Sequence, residues 1–338
     1  MNSRHGKSPA AAAFLGCLAV ALIGEPSALC AAGPDVSGKS PSAATSSDIL
    51  RKLTMKTMGG TQFWGDVHFF HGWSIQKNAL TEHYRLLDAL DHRHATGTFE
   101  DCRAKLDTIK QEQKLSPMSG KAVLLVHGIF RSSKSFSKLR RKFERDGYHV
   151  FGFDYPSTQV EIPVAAKHLR QAIDSLQGID EISLVVHSMG GLVVRSYLAD
   201  DGDERINRMV MLGVPNLGAR MADHVRRNLL YRALYGPAGQ QLVSDEDGLI
   251  SKLPTPGFEF GILCGVRGTA NGYNPLIPGD DDGTVSVSSA RLPGAADFIT
   301  VKCLHSFLMQ NDEAIDYTCR FLETGRFRTS GERRPIQK

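Results

Sequence analysis

From residue 121 onward, short runs rich in apolar residues alternate with stretches of helical spacing. The runs occupy 122–126, 150–153, 182–186, 206–212, 258–266 and 298–301. Between the first four, residues 136–145, 164–176 and 192–198 carry apolar positions every three or four residues. Strands that do not alternate polar and apolar residues are covered on both faces, and intervening helices supply the cover. The pattern predicts one α/β domain over 119–323, with a doubly wound, mostly parallel sheet. No internal repeat interrupts it.

The chain ahead of this domain reads differently. Residues 48–118 form a prelude: helical spacing at 49–58, an aromatic, β-rich stretch at 61–76 broken by Gly65 and Gly72, and a second helical pattern at 99–115. A helix and a β-hairpin are expected there. His68, His71, His92 and His94 lie in it without the cysteine or carboxylate spacing of a metal site, and a packed structural role is the better reading. Residues 1–32 show a positive start (Arg4, Lys7), an apolar run at 10–24 and small residues up to Ala32. That is the three-part pattern of a secretory signal peptide, so the protein is expected to be exported, periplasmic or secreted. Residues 33–47 read as a Gly/Pro/Ser/Thr linker, and 324–338 as a solvated basic tail.

Composition narrows the function. Over 338 residues, 40 Lys and Arg face 36 Asp and Glu, a net +4, too small an excess to suggest a nucleic-acid partner. Hydrophobic residues at 41% and charged residues at 22% exclude a mainly disordered chain.

The chemistry starts where the 182–186 run meets His187-Ser188-Met189-Gly190-Gly191 and a helical pattern follows. A serine in a tight strand-to-helix turn is a nucleophile elbow, although Val186 stands where Gly-x-Ser-x-Gly has its first glycine. A second segment, His127-Gly128-Ile129, follows the first strand of the sheet. Acyl transfer needs two backbone N–H donors aimed at the developing oxyanion, and Met189 and Ile129 are placed to supply them. The general base should follow the nucleophile and the acid in the chain. Only His224 and His305 follow Ser188, and His224 precedes any good acid, which leaves His305. His187, next to the nucleophile, is read as structural. Asp280, Asp281, Asp282 and Asp297 are the candidate acids.

In order along the chain, His127-Gly128-Ile129, Tyr155-Pro156-Ser157, His187 to Gly191, Leu212 to Gly218, Asp282-Gly283-Thr284-Val285 and His305 resemble the α/β-hydrolases of the bacterial lipase/esterase type. The likeness covers about 121–323. It implies the α/β-hydrolase fold with a short cap insertion at about 214–257, and a triad of Ser188, Asp282 and His305. Asp282 is preferred because Asp-Gly-x-Val is the form the acid loop takes in lipases; Asp280 and Asp281 are then solvated turn residues. The activity implied is cleavage of small-molecule or lipid esters through an acyl-enzyme on Ser188, with no metal or organic cofactor. A thioesterase or acyltransferase would use the same residues, and a non-catalytic envelope binding protein would keep only the fold. Within the cap, 219–235 has apolar residues at helical spacing and four arginines. It reads equally as a lid able to touch a membrane surface or as a helix packed on the sheet. The last two strands are neighbours in this fold, so Cys264 and Cys303 could bridge, leaving Cys102 and Cys319 as a second pair. Free buried thiols are the alternative.

Overall fold

The computed structural model describes residues 61–218, 236–242 and 247–337. The expected signal peptide, linker and 49–58 helix, the 219–235 lid helix, and His224 lie outside the described residues.

Four antiparallel strands come first: β1 (Trp64–Phe70), β2 (Trp73–Asn78), β3 (Tyr84–Leu87) and β4 (Arg93–Gly97), paired in that order. The β1–β2 turn is made by His71, at φ 48°, and Gly72. Helix α1 (Phe99–Glu112) is started by a capping box in which Thr98 and Asp101 exchange hydrogen bonds. Its Cys102, Leu106 and Ile109 pack with Val67, Ile75 and Leu86 to form a small core of their own. The expected hairpin is therefore the first half of a meander.

The larger sheet contains β5 (Gly120–Val126), β6 (His149–Phe153), β7 (Ile179–His187), β8 (Ile206–Leu212), β9 (Glu259–Val266) and β10 (Asp297–Lys302). Its order is β10-β9-β8-β7-β5-β6, and every pairing is parallel. Helices α2 (Ser137–Arg145), α3 (Ile162–Asp174), α4 (Met189–Leu198) and α5 (Asp312–Thr324) complete the doubly wound arrangement. The six apolar runs read from the sequence are its six strands, and Ala122 to Val126 in the central β5 are fully buried. The main core joins β5, β7 and β8 to α2 and α5 through Val123, Leu125, Leu139, Phe143, Val185, Val210, Ile315 and Phe321.

The meander is hydrogen-bonded to this sheet. Asp66 N–H donates to Asp154 O at 2.8 Å, and Asp154 N–H donates to Asp66 Oδ2 at 2.7 Å. Phe69 N–H donates to Ser175 Oγ at 2.8 Å. A Cβ on Gly65 would come within 2.7 Å of His168 Nδ1, so the approach of β1 to α3 requires glycine there.

Two expectations are corrected. The 324–338 segment is not simply solvated: Phe327 is fully buried, and Asp297 accepts from Phe327 N–H (2.9 Å), Arg334 N–H (2.9 Å) and Arg328 Nη1 (3.0 Å). Ile336 N–H donates to Ala295 O at 3.0 Å. The four described cysteines are free thiols. Cys264 lies opposite Thr300 in the β9–β10 register, whereas Cys303 sits past the end of β10 with its N–H on Val266 O. Cys102 belongs to the meander core and Cys319 to α5.

Candidate active site

After β5 the chain places β6 on one side, then crosses to place β7 on the other. The loops leaving the carboxyl ends of β5 and β7 therefore diverge, which opens a crevice at the switch point of the sheet. His127-Gly128 leaves one strand there, and Ser188 leaves the other.

Ser188 joins β7 to α4 with φ 54° and ψ −130°, a conformation that strains a residue with a side chain. Crowding enforces the glycines around it. A Cβ on Gly190 would lie 2.5 Å from the carbonyl oxygens of His127 and Val126, and one on Gly128 would lie 2.8 Å from Ser188 Cβ. Val186 in place of the usual glycine is fully buried in the strand. Ser188 Oγ has no hydrogen-bond partner among the described residues.

Asp282 and His305 are joined directly. His305 Nδ1 donates to Asp282 Oδ2 at 2.7 Å, while Asp282 Oδ1 accepts from the N–H groups of Thr284 (3.0 Å) and Val285 (2.7 Å). His305 N–H also donates to Asp282 O at 2.8 Å. The carboxylate only accepts, so the Nδ1 proton is fixed and Nε2 is left with its lone pair. Gly213, at φ 56°, leaves the space that a Cβ would take 3.1 Å from both Asp282 Oδ2 and His305 Nδ1.

The loop after β5 is held from behind. His127 Nδ1 donates to Gly128 O at 2.7 Å, and its Nε2 accepts from Tyr155 N–H at 3.3 Å. The ring stacks on Tyr155 at 4.4 Å, and Tyr155 Oη donates to His127 O at 2.8 Å. Burial holds His127 below its usual pKa and so favours the neutral ring. In a planar trans peptide the N–H points opposite to the C=O. Fixing Gly128 O therefore turns Ile129 N–H the other way, and neither it nor Met189 N–H has an acceptor among the described residues.

The remaining candidates are placed elsewhere. Asp281, expected to be solvated, is fully buried and accepts from the N–H groups of Tyr273 (3.3 Å), Asn274 (3.1 Å) and Gly283 (2.6 Å). Asp280 accepts from Arg267 N–H and Gly268 N–H. Asp297 begins β10, a strand's length from His305, and holds the C-terminal segment. In the prelude, His92 and His94 both bond Asp88, His71 faces Ser116 O, and His68 lies beside Arg103.

Sequence reasoning missed two contributors. His187 does more than fill space: its Nε2 donates to His305 O at 3.1 Å and its ring centroid lies 4.6 Å from that of His305. Burial, then the neighbouring His305, hold it well below the usual imidazole pKa. Asp154 is the other, accepting from Ser133 N–H (2.6 Å) and Ser133 Oγ (2.9 Å) with an oxygen 3.5 Å from His127 Nε2. The only signal for it was its place beside Tyr155-Pro156-Ser157.

Residues 89–241 match a family described as a domain of unknown function (DUF7379). Human lysosomal thioesterase PPT2 is 28% identical over 146 residues, 36% of this chain and 46% of that protein. Lysosomal thioesterase PPT2-B of Xenopus laevis is 28% identical over 109 residues, 30% of this chain and 38% of that one. The match thus spans less than half the length of these curated relatives. Bacillus licheniformis lipase BlEst2 in its propeptide form superposes with a TM-score of 0.50 at 20% identity, over 64% of this chain and 52% of that one. A likeness at that identity is one of fold. With the strand order and the strand–turn–helix at Ser188, it makes this chain a protein of the α/β-hydrolase fold, the fold of the bacterial lipases and esterases.

Proposed function

We propose that the protein is an exported serine hydrolase that cleaves carboxylic esters through an acyl-enzyme on Ser188. One observation carries this reading. A serine strained at a strand–turn–helix lies against Gly128, and its neighbour His187 is bonded to a histidine whose Nδ1 proton a buried carboxylate holds. In the reaction, Ser188 Oγ attacks the acyl carbon as His305 Nε2 takes its proton, and Asp282 stabilises the imidazolium. Met189 N–H and Ile129 N–H stabilise the tetrahedral oxyanion. Collapse expels the alkoxide, which takes the proton from His305; water repeats the sequence and releases the acid. Exposed Leu304 and Phe307 beside His305, with Tyr273 and Leu276 beside the acid loop, favour an apolar acyl group.

A thioester is the second reading, favoured by the thioesterase names of the curated relatives. The test is labelling by a fluorophosphonate, followed by rates on matched oxygen esters and thioesters of several chain lengths. Labelling and turnover that disappear in Ser188→Ala support the proposal. Labelling that survives Ser188→Ala, or no labelling, favours a non-catalytic binding protein. The oxygen-to-sulfur rate ratio separates the two substrate readings.

A further inference from the structure

Arg131 lies two residues beyond Ile129. Its N–H donates to Gly128 O at 3.3 Å, and Phe130 before it takes φ 58°, so the chain turns sharply at the crevice. Its side chain is half-buried. Other arginines withdrawn from water in this protein are paired: Arg195 with the carbonyls of Leu253, Pro254 and Asn216, Arg205 with Asp203, Arg208 with Glu259, and Arg328 with Asp297. The Arg131 guanidinium has no carboxylate, carbonyl or aromatic ring as partner among the described residues. A guanidinium stays charged at any working pH, and removing it from water unpaired is unfavourable. Arg131 follows the turn that carries the Gly128–Ile129 peptide, so the unpaired cation belongs to the loop that leaves β5 at the crevice.

Building on the serine-esterase reading, we infer that Arg131 recognises an anionic group on the substrate, carboxylate or phosphate oxygens near the scissile carbonyl. The preferred substrates are then esters that carry a negative charge. Two oxygens held by the planar guanidinium match its fork of donors, which a lysine ammonium does not reproduce.

The test compares kcat/KM within two pairs of compounds, on wild type, Arg131→Gln and Arg131→Lys. One pair is p-nitrophenyl butyrate and p-nitrophenyl hydrogen succinate, which places a carboxylate on the acyl side. The other is dioctanoylglycerol and dioctanoylphosphatidylglycerol, which places a phosphate on the alcohol side. Wild type should favour the anionic member of one pair by about tenfold or more, as expected for a charge-assisted pair of hydrogen bonds. Arg131→Gln should erase that ratio, and Arg131→Lys should restore it only in part. The melting temperature of Arg131→Gln should stay close to that of wild type, because no hydrogen bond or ion pair of the guanidinium is lost; an arginine held for structure by polar partners would lower it. Which pair responds identifies a small acid or a phospholipid headgroup. No anionic preference in either pair, or an unchanged ratio in Arg131→Gln, overturns the inference. If the neutral ester is hydrolysed and Ser188→Ala abolishes this, such a result leaves the esterase reading standing. If no ester is hydrolysed, both fall.

Discussion

Asp282→Asn is the sharpest perturbation of the proposed chemistry, because the structure dictates which oxygen the amide replaces. Oδ1 accepts from the N–H groups of Thr284 and Val285, at 3.0 and 2.7 Å, and Oδ2 from His305 Nδ1. An asparagine NH2 on the Oδ1 side would face two donors and leave both unpaired, at about 1–3 kcal/mol for each buried group. The amide therefore settles with its oxygen toward the backbone and its NH2 toward His305. His305 Nδ1 must then accept, the ring proton moves to Nε2, and the base loses the lone pair that would take the proton from Ser188. The fold keeps its hydrogen bonds while the histidine holds the wrong tautomer. Turnover should fall at least about a thousandfold, or about 4 kcal/mol at 1.36 kcal/mol per tenfold. The assay is single-turnover acylation by a p-nitrophenyl ester, with the melting temperature measured alongside. Asp282→Asn within about tenfold of wild type would refute the argument. None of the other three candidate acids could substitute, since Asp280 is committed to the N–H groups of Arg267 and Gly268, Asp281 to three backbone amides, and Asp297 to Arg328 and the C-terminal segment.

Three further predictions concern the surroundings of the site. His187→Leu should lower kcat about tenfold or more by leaving the buried His305 carbonyl unpaired, while His187→Gln, whose Nε2 reaches the same carbonyl, should stay within about threefold; equal rates in the two variants would count against a positioning role. Gly128→Ala places a methyl 2.8 Å from Ser188 Cβ and should reduce kcat about a hundredfold, the scale of losing one oxyanion donor, with KM little changed; wild-type turnover would show that the loop yields. Burial and the nearby Asp154 carboxylate hold Asp66 well above the usual carboxylate range, so the fold favours its protonated form. Its contribution to stability is thus complete below the unfolded pKa of about 3.9 and declines as pH rises toward the folded value, so the melting temperature of Asp66→Asn relative to wild type should climb as the pH is raised above about 4. A difference that stays flat with pH would contradict this.

Much of the fold was legible because the central strands are buried on both faces. The runs at 122–126 and 209–212 are apolar at every position, and the structure returns them within β5 and β8. β3 and β4 escaped notice for the opposite reason: one is four residues long, and the other, Arg93–Gly97, turns mostly exposed side chains outward. Ser188 was legible because a strand, a turn and a helix are consecutive in the chain. The bond between His187 and the His305 carbonyl spans 118 residues and leaves no local pattern. The buried end of the chain was missed similarly, since the Asp297 that binds Arg328 and Phe327 N–H lies about thirty residues upstream. Arg131 is a harder case, because what distinguishes it is a missing partner, and only the folded neighbourhood reveals that.

The meander poses a question that the minimal fold does not answer, since none of its residues reaches Ser188. Its bearing on the site passes through backbone orientation. A loop peptide such as Gly128–Ile129 has no side chain of its own to anchor it, so its direction must be imposed by groups behind it. His127 Nδ1 does so directly, on Gly128 O. Asp154 accepts from Ser133 N–H and Oγ and so holds the point where the same loop rejoins the body of the domain. Asp154 is in turn fixed by the reciprocal pair of bonds to Asp66 on β1. Since a donor displaced by about half an ångström stabilises a transition state poorly, a sheet remote from the nucleophile can still set the rate. The docking of the meander is accordingly part of how this chain would hold its oxyanion peptide.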